Sequence, residues 1–378
     1  MQLKRGGSGV LNPGLAEFQE IQTPALIVDA DALARNISDM AAAAKASKIN
    51  LRPHAKTHKS PEIAQLQLDA GAVGVSCATI AEIEAFSGAG ITGLLLTSPV
   101  ADRAKLGRLT QVARHADLSI VVDHADQISA LADFISDNIR PIRVLVDIDV
   151  GQRRTGVCDV QTTIELAKLI SKKPWLRFGG IQGFAGQVQH IADATKRESG
   201  AAGVAEILKD HLRALGGANI GANVVTGSGT GASSFDSYGP YTELQVGSYV
   251  FMDADYGALK QKGGDALPYA PSLFVLATVT SINRLGEFTV DAGVKALAFN
   301  GPMPSKIIGV PDGSTYRFGG DEHGMITMPE GCIAPKLGSR VLILSTHCDP
   351  TVNLHSQYHV IGANRRMKKW PVMARYGF

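Results

Sequence analysis

Asp117-Leu-Ser-Ile-Val-Val-Asp123, the stretch 124–136, and Ile142-Arg-Val-Leu-Val-Asp-Ile-Asp-Val150 decide the fold class. The two outer runs are almost continuously apolar and rich in β-branched residues, as strands buried on both faces are. The segment between them repeats its apolar residues at helical spacing. Strand, helix, strand in so short a span is a βαβ unit, and the same alternation continues outward in both directions. Strand-like runs lie at 25–29, 50–55, 74–78 and 93–98 on one side and at 178–184 and 223–228 on the other. Helical patterns fill 31–46, 61–70, 79–88, 102–115, 160–172 and 191–215. Ser60-Pro61-Glu62 reads as one helix start, with an N-cap serine, proline in the first position and an acid in the first turn. Eight strand candidates separated by helices predict a (β/α)8 barrel, with an open doubly wound sheet as the structural alternative. From about residue 270 the pattern turns to strands and tight turns, in SLFVLATVTSI, EFTVDAG, TYRFGG, GMITM, RVLILSTH and YHVIGA. The sequence therefore predicts an α/β chain with a barrel over 22–265 and a mainly β domain formed by 1–21 and 266–378.

Composition supports a globular reading. The 378 residues are 45% hydrophobic, enough for a large core, and a net charge of +2 without a basic tract argues against nucleic acid. Mean hydropathy is +0.06, the apolar runs are shorter than a membrane span, and residues 1–20 lack a signal-peptide hydrophobic region. The four cysteines, Cys77, Cys158, Cys332 and Cys348, form neither a disulfide framework nor a paired zinc motif, so a reducing cytoplasm is expected.

The candidate chemistry follows predicted strand ends, which gather at the C-terminal face of a barrel. Lys56, in Arg52-Pro53-His54-Ala55-Lys56-Thr57-His58-Lys59, follows the second strand candidate; Arg154 follows the sixth and His190 the seventh. Thr226-Gly-Ser-Gly-Thr-Gly231 follows the eighth, and Gly247-Ser248-Tyr249 comes later. A lysine can form a Schiff base, and successive small residues let backbone N–H groups cradle an anion. His347 and Asp349, two apart on an expected strand, would share a face and form a metal clip, with Cys348 on the opposite face. Duller readings stand beside these. Lys56 can be a solvated surface group, Arg154 a partner of Asp147 or Asp149, His190 a helix cap, and His347 with Asp349 a structural pair. The glycines can form a plain turn, and Gly227 to Ala232 formally matches a dinucleotide fingerprint, although no convincing helix follows.

Taken together, the motifs resemble the D-threonine aldolase family of fold-type III pyridoxal-phosphate enzymes, which also holds 3-hydroxy-D-aspartate aldolase and D-serine dehydratase. The resemblance rests on Thr23 to Asp29, the segment 52–59, Asp149 to Val157, Gly227 to Gly231, Tyr241 to Tyr249, Asp253 to Tyr256, Asp321 to Gly324 and His347 to Pro350. It implies a barrel of the alanine-racemase N-terminal type. It further implies Lys56 as the residue that holds pyridoxal 5'-phosphate, with Arg154 beside the cofactor ring and Thr230, Gly247, Ser248 and Tyr249 at its phosphate. His347 and Asp349 match the ligands of a divalent metal, Mn²⁺ by preference with Mg²⁺ or Zn²⁺ as alternatives, and His190 matches the base. The implied reaction is retro-aldol cleavage of D-β-hydroxy amino acids, D-threonine to glycine plus acetaldehyde, extending to D-phenylserine or D-3-hydroxyaspartate. The competing implication is β-elimination by a metal-dependent D-serine or D-3-hydroxyaspartate dehydratase, although such relatives typically carry Cys at the position of Asp349. A homodimer is expected from the same resemblance. The chain departs from the family pattern at Ala78, at Ser98-Pro99-Val100 and at Phe184-Ala185.

Overall fold

The computed structural model describes residues 15–135 and 140–375, so residues 1–14, assigned above to the β domain, lie outside the described residues. Chain contacts divide the protein into two compact units. One consists of Ser38–Gly247, Leu259–Ala266 and the residues from Met373 on; the other holds the residues up to Ile37, Ser248–Ala258 and Leu267–Val372.

The strand β1 (Ala25–Asp29), expected to open the barrel, does not belong to it. The barrel is built from β2 (Asn50–Leu51), β3 (Val75–Cys77), β4 (Leu94–Leu96), β5 (Leu118–Val122), β6 (Ile142–Asp147), β7 (Leu176–Gly183), β8 (Val224–Gly227) and β9 (Glu243–Leu244). They lie parallel in the order β2-β9-β8-β7-β6-β5-β4-β3, and a bridge between His54 and Ser76 closes the ring. Lys56 therefore follows the first barrel strand rather than the second. The expected count was eight, but its eighth member is the two-residue β9, too short to give a periodic signal. Strands such as β5 are buried along their whole length, which explains their unbroken apolar runs.

Side chains fill the barrel in layers. Leu95, Val121 and Leu145 pack together with Val224. Two residues further along the strands, on the same face, the layer is polar: Thr97, Asp147, Gln182, Thr226 and Gln245. Gln182 Nε2 donates to Asp147 Oδ1 at 2.9 Å and to the Thr97 carbonyl at 3.0 Å. Gln245 Nε2 donates to Gln182 Oε1 and to Thr226 Oγ1, both at 3.0 Å. Gly180, with φ of 144°, sits where a Cβ would run into the Val224 carbonyl, so β7 and β8 approach closely only at glycine.

The second unit is a mostly antiparallel sheet of β1 with β10 (Leu273–Arg284), β11 (Glu287–Val290), β12 (Ile307–Ile308), β13 (Thr315–Phe318), β14 (Gly324–Thr327), β15 (Arg340–Leu344), β16 (Gln357–Ile361) and β17 (Met367–Pro371). β1 runs antiparallel to β10 and parallel to β16. Its residue Ile27 and β10's Phe274 and Leu276 join Phe18, Leu342, Leu344 and Ile361 in one core.

The barrel seam between β2 and β9 carries a buried ion pair, Arg52 Nε to Glu243 Oε1 at 2.9 Å. Removing Glu243 leaves the buried Arg52 guanidinium without a counter-ion, held among the described residues only by the Gly93 carbonyl. Glu243→Ala should lower unfolding stability by about 3–5 kcal/mol in urea titrations. A loss below about 1 kcal/mol, the scale of an exposed pair, would show that the seam tolerates a lone charge.

Candidate active site

After β2 the chain makes a single 3-10 turn, Ala55–Thr57, with His54 as its N-cap. His54 Nδ1 accepts the Lys56 N–H at 3.4 Å. Its Nε2 lies 3.1 Å from Thr97 Oγ1, whose own proton goes to the Cys77 carbonyl at 3.0 Å. Because Nδ1 accepts and Thr97 has given its proton away, the ring hydrogen belongs on Nε2. Gly247 packs directly on this turn: a Cβ there would stand 2.5 Å from Thr57 Oγ1. Lys56 is half-buried at the barrel's C-terminal end, while Lys59 is 6% exposed with its ammonium 2.5 Å from Glu82 Oε1. The two lysines of the motif thus occupy different environments.

Arg154 does not pair with Asp147 or Asp149. Asp147 accepts from Gln182 and from Thr155 Oγ1 (2.8 Å), and Asp149 Oδ1 accepts the backbone N–H groups of Gly151 and Arg153. The guanidinium instead lies over the Phe184 ring, 5.7 Å from its centroid, a cation–π contact at one of the positions where the chain departs from its family. Burial pushes the Asp147 carboxyl up to about 6, against the pull of its hydrogen bonds and of Arg154. His190 is exposed and ends the short helix Gly186–Gln189. It is not the cap of the next helix; the Asp193 side chain does that, accepting from Thr195 and Lys196 N–H.

β8 leads into the glycine loop, where Ser228 takes a left-handed φ of 69° and Gly231 abuts the Gln189 carbonyl. Gln189 is buried and secures the loop, accepting the Ala232 N–H at 3.1 Å. The helix after it, Ser233–Asp236, has four residues, too few for a dinucleotide fold. Thr230 is buried in this loop. The loops bearing Thr230 and Gly247 follow the seventh and eighth barrel strands, where barrels of this kind commonly hold phosphate. The Thr57 hydroxyl next to Gly247 is buried without a hydrogen-bond partner. An orphaned hydroxyl beside a cup of small residues fits a site that an oxygen-rich group such as a phosphate completes.

In the other unit, Ser248 and Tyr249 lie in a buried 3-10 turn, and His347 and Asp349 come together, though not on a strand. β15 ends at Leu344, and His347 is the N-cap of a helix, Cys348–Asn353. Pro350, which reads as an obstacle to any strand ladder, is at home in the first helical turn, where its missing N–H has no intrahelical partner to lose. His347 Nε2 lies 3.4 Å from Asp349 Oδ2, and the Asn300 side-chain amide is 3.0 Å from Nδ1. Cys348 is buried, with its N–H donated to Asp253 Oδ2 at 2.7 Å. An imidazole nitrogen and a carboxylate on converging paths suit a divalent cation. Asn300 must then turn its carbonyl to Nδ1–H, leaving the Nε2 lone pair for the ion. Among the described residues no group of three His, Cys, Asp or Glu side chains is placed to hold a metal ion, so such an ion would take its remaining ligands from water or substrate.

Several contributors were missed in the sequence: His54 as cap, Asn300 beside His347, and the network through Gln182 and Gln245. The last two are contacts between distant segments, while the His54 cap is local, two residues before the N–H it accepts. Glu82 had a local signal, the capping box Thr79-x-x-Glu82.

A family model, the alanine racemase N-terminal domain, matches residues 28–255, and the serine dehydratase domain model matches residues 272–361. The chain belongs to the D-threonine aldolase family of fold-type III pyridoxal-phosphate enzymes. It is 38% identical to the D-threonine aldolase of Arthrobacter sp over 94% of this chain and 93% of that one. It is 36% identical to the 3-hydroxy-D-aspartate aldolase of Paracoccus denitrificans, covering 96% and 94% of the two chains. The crystal structure of D-threonine aldolase from Filomicrobium marinum superposes with a TM-score of 0.89 at 37% identity, over 94% of this chain and 96% of that one.

The contact of Gly247 with Thr57 is directly testable. Gly247→Ala should cost about 1–3 kcal/mol by forcing the turn away. Adding Thr57→Ala removes the obstructing hydroxyl and should restore most of the loss in urea unfolding. Strict additivity of the two substitutions would mean that the two residues do not meet.

Proposed function

We propose that the protein is a lyase dependent on pyridoxal phosphate and a divalent metal, cleaving D-β-hydroxy amino acids between Cα and Cβ to glycine and an aldehyde. The observation that carries this reading is the contrast between the two lysines: Lys59 has its ammonium committed to Glu82, while Lys56 stands half-buried on a turn pressed against Gly247. When bound at Lys56, the cofactor supplies an electron sink for the substrate's Cα, and a divalent ion at His347 and Asp349 supplies a Lewis acid for the β-oxygen. Arg154 holds positive charge beside the cofactor ring, and the loops of Thr230 and of Gly247 to Tyr249 hold the phosphate. His190 takes the β-hydroxyl proton, the step that retro-aldol cleavage requires. One imidazole and one carboxylate form a harder ligand set than one with thiolate, which favours Mn²⁺ or Mg²⁺ over Zn²⁺. D-threonine is the leading substrate, with D-phenylserine and D-3-hydroxyaspartate as the natural extensions. The working form is a homodimer in the cytoplasm, consistent with four free thiols.

A second reading is β-elimination to a keto acid and ammonia. It is favoured by the serine dehydratase domain match, whose span includes both His347 and Asp349. Products decide between the two. Assays of D-threonine, D-phenylserine, D-3-hydroxyaspartate and D-serine should yield glycine plus aldehyde with Mn²⁺ and little product without it. Chelation and Asp349→Ala should each remove most activity while leaving cofactor absorbance intact, and Asp349→Cys should shift metal preference toward Zn²⁺. Keto acid and ammonia as the main products would transfer the protein to the dehydratases.

A further inference from the structure

Lys59 is an unusual residue. It is a buried lysine with a left-handed backbone, φ of 50°, a conformation that costs a non-glycine residue on the order of 1–3 kcal/mol and persists only where its surroundings enforce it. Those surroundings are fully visible. Its N–H donates to the Ala55 carbonyl at 2.7 Å, closing the segment that carries Lys56. Its ammonium donates to Glu82 Oε1 at 2.5 Å and to the Ala374 carbonyl at 3.1 Å. Its own carbonyl accepts the Met373 N–H at 2.8 Å. Glu82 is 1% exposed, and its second oxygen accepts the Ala78 N–H at 2.6 Å at the end of β3. Ala374 is likewise left-handed, with φ of 51°. Residues 373–374, more than three hundred positions along the chain, thus grip Lys59 by both its backbone and its charge, and all of these groups lie in the barrel unit.

We infer that Lys59 is a positioning residue and that Met373–Ala374 form a C-terminal latch which, through Lys59 and Glu82, fixes the turn bearing Lys56 against the end of β3. The inference rests on the reading of Lys56 as the cofactor lysine for its consequence, though not for its geometry. A carbonyl and a carboxylate share one ammonium, so releasing either loosens the same lysine. The latch and Lys59 therefore act as one unit.

Ala374 offers a clean test, because its N–H has no hydrogen-bond partner among the described residues. Ala374→Pro forces φ to about −65° and carries the carbonyl away from Lys59, whereas Ala374→Gly keeps the left-handed geometry at no steric cost. Amide hydrogen exchange across residues 55–60, measured without cofactor, should accelerate about tenfold in Ala374→Pro and in Lys59→Met, and remain near wild type in Ala374→Gly. With cofactor added, both loosened variants should bind pyridoxal phosphate about tenfold more weakly, and the double variant no more weakly than either single one, as expected of coupled residues. Ala374→Pro is the more informative variant, since Lys59→Met also strands the Glu82 charge and can fail to fold. Unchanged exchange in Ala374→Pro, or strictly additive effects in the double variant, would overturn the latch. If exchange responds as stated while Lys56→Ala still retains the cofactor covalently, the latch stands and the assignment of Lys56 falls.

Discussion

The ring of parallel strands closes at a single bridge, His54 to Ser76, and the chain around Lys56 depends on that closure. β2 contributes only two residues to the sheet, so the ladder itself cannot hold the segment that follows. The work passes to specific groups. The Ser76 N–H reaches the Pro53 carbonyl at 2.8 Å, the His54 N–H reaches the Val246 carbonyl at 2.9 Å, and the His54 ring is tied to Thr97. A lysine placed here is held by its neighbours on both sides of the seam. Catalytic geometry needs tolerances well below an ångström, and a pinned turn supplies them better than a free loop.

Below the turn, the barrel changes character within two residues of each strand. Leu95, Val121 and Leu145 make a dry layer; Thr97, Asp147, Gln182, Gln245 and Thr226 make a hydrogen-bonded one. Buried polar groups destabilise when unmet, so such a layer persists only when its members satisfy each other. It forms a rigid polar floor under the C-terminal loops. In the β unit the same economy appears at a smaller scale. Asp253 holds the Cys348 N–H and Asn300 the His347 ring, which sets the imidazole and the Asp349 carboxylate side by side.

Much of this was legible in the sequence. The long apolar runs of β5 and β6 signal a buried parallel sheet, while β7, Leu-Arg-Phe-Gly-Gly-Ile-Gln-Gly, signals it only weakly. Illegible parts have physical causes. β1 has the same apolar run as a barrel strand, yet it pairs with β10 and β16, and only long-range register separates the two fates. β9 and β12 are two residues long and carry no period. Around His347 the alternation suggested a strand, while Pro350 and an acid in the first turn are helix-start signals that outweigh it. His347 and Asp349 meet all the same, because an N-cap and the second residue of a helix can also converge. Thr79-x-x-Glu82 spells the capping role of Glu82 locally, but its ion pair with Lys59 spans 23 residues and leaves no local signal. The motif resemblance already separates Lys56 from Lys59, and burial adds a physical difference: Lys59 is 6% exposed and Lys56 half-buried.

That distinction between two lysines carries the functional account. A buried ammonium shared by Glu82 and a backbone carbonyl is tied up as a charge-assisted donor and is poorly placed as a nucleophile. The covalent chemistry is accordingly proposed for Lys56, two residues past the capping histidine. The most direct measurement is borohydride reduction of the protein loaded with pyridoxal phosphate, followed by proteolysis and mass mapping of the modified peptide. The account predicts a single pyridoxyl group on Lys56. Label on Lys59, or on any lysine outside the segment 52–59, would contradict it.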